Sequence, residues 1–94
     1  MIFGKKIKEL RKKRGLLQRQ LAAVLEIDTP MYSKIERGER KAKREQVKLL
    51  SKELLVSEKE LLALWLADKV LDILKEEDRV IEKAILYVQR EIQG

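Results

Sequence analysis

Residues 18 to 38 read QRQLAAVLEIDTPMYSKIERG, two short helical patterns hinged on one tight corner. Leu21, Ala22 and Leu25 recur at the spacing of one helix face, and Tyr32 and Ile35 do so after the corner. Glu26, Ile27 and Asp28 turn the chain between them. Asp28 and Thr29 both suit an N-cap, Pro30 suits the first helical position, and Gly38 supplies the stop. Ala22 is small where the next helix must cross. Leu21, Leu25, Ile27, Tyr32 and Ile35 then form the seam that fixes the crossing angle. The outer face of the second helix is left with Thr29, Pro30, Ser33, Lys34 and Arg37, where an ordinary surface helix would carry Glu–Lys pairs.

Helical punctuation continues on both sides of this unit. Phe3, Ile7 and Leu10 share one face, and Gly15 closes their helix. A basic stretch, ERKAKRE, leads into a fourth helix from about Glu45, with Val47, Leu50 and Leu54 inward. SEKE at 57–60 is a capping box and opens a long fifth helix that runs to about Lys75. EEDR at 76–79 reads as a break, with Asp78 as the candidate cap of a sixth helix carrying Val80, Ile81, Ala84, Ile85, Val88 and Ile92. One proline, four glycines and only four aromatics (Phe3, Tyr32, Trp65 and Tyr87) favour this all-α reading over a sandwich or barrel. Neither repeats nor a low-complexity linker interrupt the chain.

Composition narrows the chemistry. Without cysteine there are no disulfides, thiolate metal sites or thiol nucleophiles, and without histidine the commonest general base and metal ligand is missing. No carboxylate pair sits in a plausible pocket, so neither an enzyme, a metal site nor a cofactor is expected. No apolar run approaches the roughly 20 residues of a membrane span, and charge at Lys5 interrupts any signal-peptide core. A cytoplasmic chain is expected. Charge is segregated: residues 1–44 hold 14 Lys and Arg against five acids, and residues 45–94 hold eight against 11. A surface charged for solubility alone has no reason to divide this way, so the first half is suited to a polyanion.

Two helices on a three- or four-residue turn, the second facing outward on a basic surface, form a helix-turn-helix. The stretch LRKKRGLLQRQLAAVLEIDTPMYSKIERGER resembles the phage-repressor or Cro-like helix-turn-helix regulators, with Arg11, Gln18, Leu21, Ala22, Ser33, Ile35, Glu36 and Gly38 as landmarks. The resemblance covers about residues 5 to 62. It implies a lambda-repressor-like five-helix DNA-binding domain over 1–62; the apolar pattern beyond it adds a helical extension over 63–94, the expected dimerisation region, on the same core. The resemblance also implies a transcriptional regulator that grips phosphate with Gln18, reads bases with Thr29, Pro30, Ser33 and Lys34, and pairs Arg11 with Glu36. Three positions depart from the family pattern. Leu17 stands where Ser or Thr usually caps the second helix. Glu26 stands where Gly often takes a positive φ, at a cost near 1 kcal/mol. Pro30 has no amide to donate.

Lys34 can bond guanine O6 and N7 or touch phosphate, and Ser33 can meet a base or bond back one turn. Arg37, near the helix end, suits phosphate. Arg19, Arg40, Lys41, Lys43 and Arg44 are the further candidates for a backbone clamp, whereas Lys12, Lys13 and Arg14 read as a solvated face. From Leu61 to Leu74 there are too many apolar positions for one stripe. Leu61, Leu64 and Leu71 can cover the DNA-binding helices. Trp65, Leu66, Val70, Ile73 and Leu74, with Ile81, Ile85 and Val88, then call for a partner. A second copy is the expected one, giving a homodimer on near-palindromic double-stranded DNA, with no small-molecule ligand. A restriction-modification controller or a small phage repressor fits this plan. An antitoxin whose C-terminal helices cover another protein is the alternative.

Overall fold

A computed structural model describes residues 1–94. Six helices follow in order: α1 (Ile2–Lys13), α2 (Gln18–Val24), α3 (Thr29–Glu36), α4 (Arg44–Glu53), α5 (Glu58–Leu74) and α6 (Ile81–Gln93). None is long and apolar enough to cross a membrane. Phe3, Ile7, Leu21, Ala22, Leu25, Tyr32, Ile35, Val47, Leu50, Leu54 and Leu61 close one core, against which Ile27 and Leu64 pack from the edge.

The first four helices end the same way. After each, one residue takes a positive φ, its amide bonds back three residues, and the next amide bonds back five. Gly15, Glu26, Gly38 and Leu55 occupy the left-handed position, and Leu16, Ile27, Glu39 and Val56 supply the longer bond. Each end thereby satisfies carbonyls that a helix leaves orphaned. Glu26 takes the positive φ expected of its position, +56°. Leu55 takes the same angle with no glycine to signal it. The helix starts are as local. Asp28 accepts from the Met31 amide at 2.8 Å, so Thr29 and Pro30 become the first two residues of α3. Ser57 accepts from the Glu60 amide. Leu17 cannot cap α2, and the Gln20 side chain instead reaches back to the Leu17 amide at 2.7 Å.

Two long-range contacts lock α1 in place. Asp68, on α5, is buried and accepts from the amides of Ile2 at 2.8 Å and Phe3 at 2.9 Å. It caps a helix that has no side-chain cap of its own, and a carboxylate at a helix N-terminus also meets the positive end of the helix dipole. Gly4 is the second lock. A Cβ there would lie 2.4 Å from the Glu36 carbonyl oxygen and 2.8 Å from that of Ile35. Only a residue without a side chain lets α1 approach the end of α3 so closely.

The C-terminal third behaves differently. Asp68 is the last buried residue of the chain, and α6 buries none. The radius of gyration is 15.1 Å, against about 12 Å for a compact chain of this length. Three expectations are corrected here. Trp65 does not face outward: it is 9 % exposed, and its indole N–H donates to the Ala42 carbonyl at 2.7 Å. Lys69 covers its ring, with the ammonium 3.7 Å from the ring centroid, and Arg44 lies over it at 5.2 Å. Leu71 does not cover the DNA-binding helices and is 48 % exposed, because α5 has run past the core by that turn. Asp78 does not cap α6, which starts at Ile81 after Val80 with no side-chain cap.

Candidate nucleic-acid interface

The α2–α3 corner places α3 across α2 with Tyr32, Ile35 and Glu36 buried. The opposite face is open. Pro30, Lys34 and Arg37 are exposed, and Thr29, Met31 and Ser33 are half-buried. Only α1 and α2 pack extensively on α3. Lys34 forms no ion pair within the chain. A hydroxyl, a proline ring, a second hydroxyl and an ammonium therefore share one accessible surface at the start of an outward helix. Those groups can bond base edges and meet a thymine methyl.

A buried polar cluster holds the back of α3. Arg11 donates from Nε to Glu36 Oε2 at 2.7 Å and from Nη2 to Oε1 at 3.1 Å, and a third guanidinium nitrogen reaches the Leu16 carbonyl at 3.1 Å. Gln18 Nε2 donates to the same Glu36 carboxylate at 3.0 Å. Burial alone pushes the Glu36 carboxyl up. The Arg11 guanidinium, with the neighbouring Tyr32 hydroxyl and the Gln18 amide, outweighs it and holds the group below the usual carboxylate range. The Arg11 guanidinium is shifted upward, chiefly by its hydrogen bonds to Glu36. Tyr32 Oη is the one buried side-chain polar atom that completes no hydrogen bond. Burial, with the neighbouring Glu36 carboxylate, pushes its phenol far up. One carboxylate thus ties α1, α2 and the end of α3 together, and it orients Gln18 at the start of α2.

The other sequence-selected residues divide. Arg19, Arg40 and Lys43 are exposed, and their charges are unpaired within the chain. Arg37 is engaged: Nε donates to Glu39 Oε2 and Nη1 to the Ser33 hydroxyl, each at 2.6 Å. Ser33 therefore accepts from Arg37 rather than bonding back along its own helix. Lys41 and Arg44 turn away from α3. Lys41 pairs with Asp72 of α5, whose carboxyl it holds below the usual range, and Arg44 lies over Trp65. Expecting both in a clamp beside α3 misses the acid and the indole that α5 brings to that loop. Arg14 is no plain solvated residue either, since it donates to the Glu53 carbonyl at the end of α4 at 2.8 Å.

Lys5 and Lys8 also belong to this surface, although their place there was not legible in the sequence. They share one face of α1, exposed, beside Gln18, Ser33 and Arg37. Their spacing of three was the available signal, masked by the five other basic residues of the first 14 positions.

The helix-turn-helix family model matches residues 7–61, a span that begins inside α1 and ends at the first turn of α5. No curated protein and no solved structure matches the chain. An open α3 on a cationic half, the buried Arg11–Glu36–Gln18 cluster behind it and the family match agree: the chain belongs to the Cro-type helix-turn-helix family of DNA-binding transcription regulators.

Proposed function

We propose that the chain is a repressor that binds double-stranded DNA by sequence, as a homodimer on a near-palindromic operator. The observation that carries this reading is the uncovered face of α3. Thr29, Pro30, Ser33 and Lys34 are the base-reading residues, and Gln18, Arg19, Arg40 and Lys43 hold the backbone on either side. Repression needs no further part, because a pair of such chains across a promoter excludes polymerase by occupancy.

The dimer rests on the region after Asp68. Leu66, Val70, Ile73, Ile85 and Val88 are all exposed, and so are Leu71, Leu86 and Ile92 on the same two helices. That is a high density of exposed large apolar side chains for two helices, of the kind an interaction surface carries. Within α6, Ile81, Ile85, Val88 and Ile92 follow spacings of four, three and four, the seam of a helix pair. Residues 63–94 are thus the dimerisation region, and Trp65 stays with the core. Two copies of α3 about 34 Å apart would meet successive major grooves on one side of the duplex. Occupancy then follows concentration through the dimer equilibrium.

Selection of bound sites from random duplex DNA, followed by titration with salt, tests the reading. A palindromic consensus with a steep salt slope supports it. A shallow slope without a consensus removes it. Sedimentation of the pure protein tests the assembly: a dimer is expected. An aggregating monomer would point instead to an antitoxin-like component whose α5 and α6 cover a different chain.

A further inference from the structure

We propose that the concave surface between α1 and α3 seats a phosphate of the duplex backbone, held by Lys5 and Lys8 from α1 and by Arg37 from α3. The inference rests on the DNA-binding reading above and adds the N-terminal half of α1 to the contact surface. The cleft measures about 400 Å³. Met1, Lys5 and Lys8 line it from the start of the chain, Gln18 from α2, and Ser33, Glu36 and Arg37 from α3.

Its electrostatics favour an anion. The Glu36 carboxylate is already bonded to Arg11 and Gln18, so it cannot neutralise the walls. Lys5 and Lys8 have no acidic partner, whereas Lys13 pairs with Glu9 and Lys41 with Asp72. Two ammonium groups without acidic partners therefore face one open space, beside a guanidinium that Glu39 also pairs with. Arg37 is held in a form ready to bind. Of its five N–H donors, one on Nε and one on Nη2 go to Glu39, and one on Nη1 goes to Ser33. Nη1 and Nη2 each keep one free N–H, and these can donate to phosphate oxygens. Gln18 Nε2 likewise retains one N–H beyond its bond to Glu36.

The site is also built rigidly. Gly4 sets α1 against the last carbonyls of α3, and Asp68 holds the first amides of α1. The cleft shares Ser33 with the open face of α3, so a strand whose bases meet α3 runs its backbone past Lys5 and Lys8.

The test is salt titration of Lys5→Gln/Lys8→Gln on the selected duplex, beside a Lys52→Gln/Lys59→Gln control with the same charge change on the acidic half. Thermal midpoints of all three proteins should coincide, since these side chains are exposed. The expected result is a slope of log K against log salt flatter by about 1 to 2, roughly tenfold weaker binding near physiological salt, and an unchanged consensus. The control should keep the wild-type slope. Equal slopes in the two double variants overturn the phosphate seat while leaving DNA binding intact. A changed consensus overturns it too, because it assigns the lysines to bases. Failure of the wild-type protein to select any site overturns the DNA-binding reading itself, before the variants are compared.

Discussion

Glu36 is a buried acid within a basic surface, and its hydrogen bonds explain why it is tolerated. Replacing Arg11 with Ala leaves that carboxylate uncompensated, and a loss of about 3–5 kcal/mol is expected by chemical denaturation. The sign with pH follows from the lowered Glu36 pKa. A carboxyl depressed in the folded state contributes stability that is fully present above its unfolded value, near 4.3. That contribution is lost as the pH falls through the folded value. Denaturation midpoints should therefore be level from neutral pH down to about 5 and then decline, and Glu36→Gln should weaken that acid limb. Tyr32→Phe should move stability by no more than about 1 kcal/mol, because it removes a buried hydroxyl that completes no hydrogen bond.

Helix ends carry the lesson of what the sequence could disclose. The capping roles of Asp28 and Ser57, and the stops at Gly15 and Gly38, were legible because each signal lies within a few residues of what it caps. Leu55 was not legible, since a leucine carries no sign of a positive φ. The Asp68 cap was hidden for another reason: its partners lie 65 and 66 residues away, and only the packing of α5 on α1 brings them together. Gly4 gave no turn signal, because its role is close approach and not backbone angle. Leu55→Gly should stabilise the protein by about 1 kcal/mol in thermal unfolding, since the leucine is 74 % exposed and little packing is lost. Asp68→Ala should cost about 2 kcal/mol and raise amide exchange at Ile2 and Phe3 ahead of the rest of α1.

At the scale of the whole molecule, a compact body carries a C-terminal extension with exposed apolar side chains. The excess of apolar residues in α5 was readable from spacing alone. Which of them the core would claim was not, and Trp65 went to the core because its N–H finds the Ala42 carbonyl there. Val70→Glu/Ile73→Glu should leave the core intact and shift sedimentation from dimer to monomer. Operator affinity should then fall by tenfold or more while non-specific binding persists, since one half-site rarely suffices. Under the proposed function, α3 reads bases through its open face. Site selection from random duplex DNA, run in parallel on the wild-type protein and Lys34→Ala, addresses it most directly. The expected result is one near-palindromic consensus for the wild type, with preference relaxed at a single symmetry-related pair of positions in the variant. The same consensus from both proteins, at every position, would contradict base reading by Lys34, and no consensus from either would contradict the regulator.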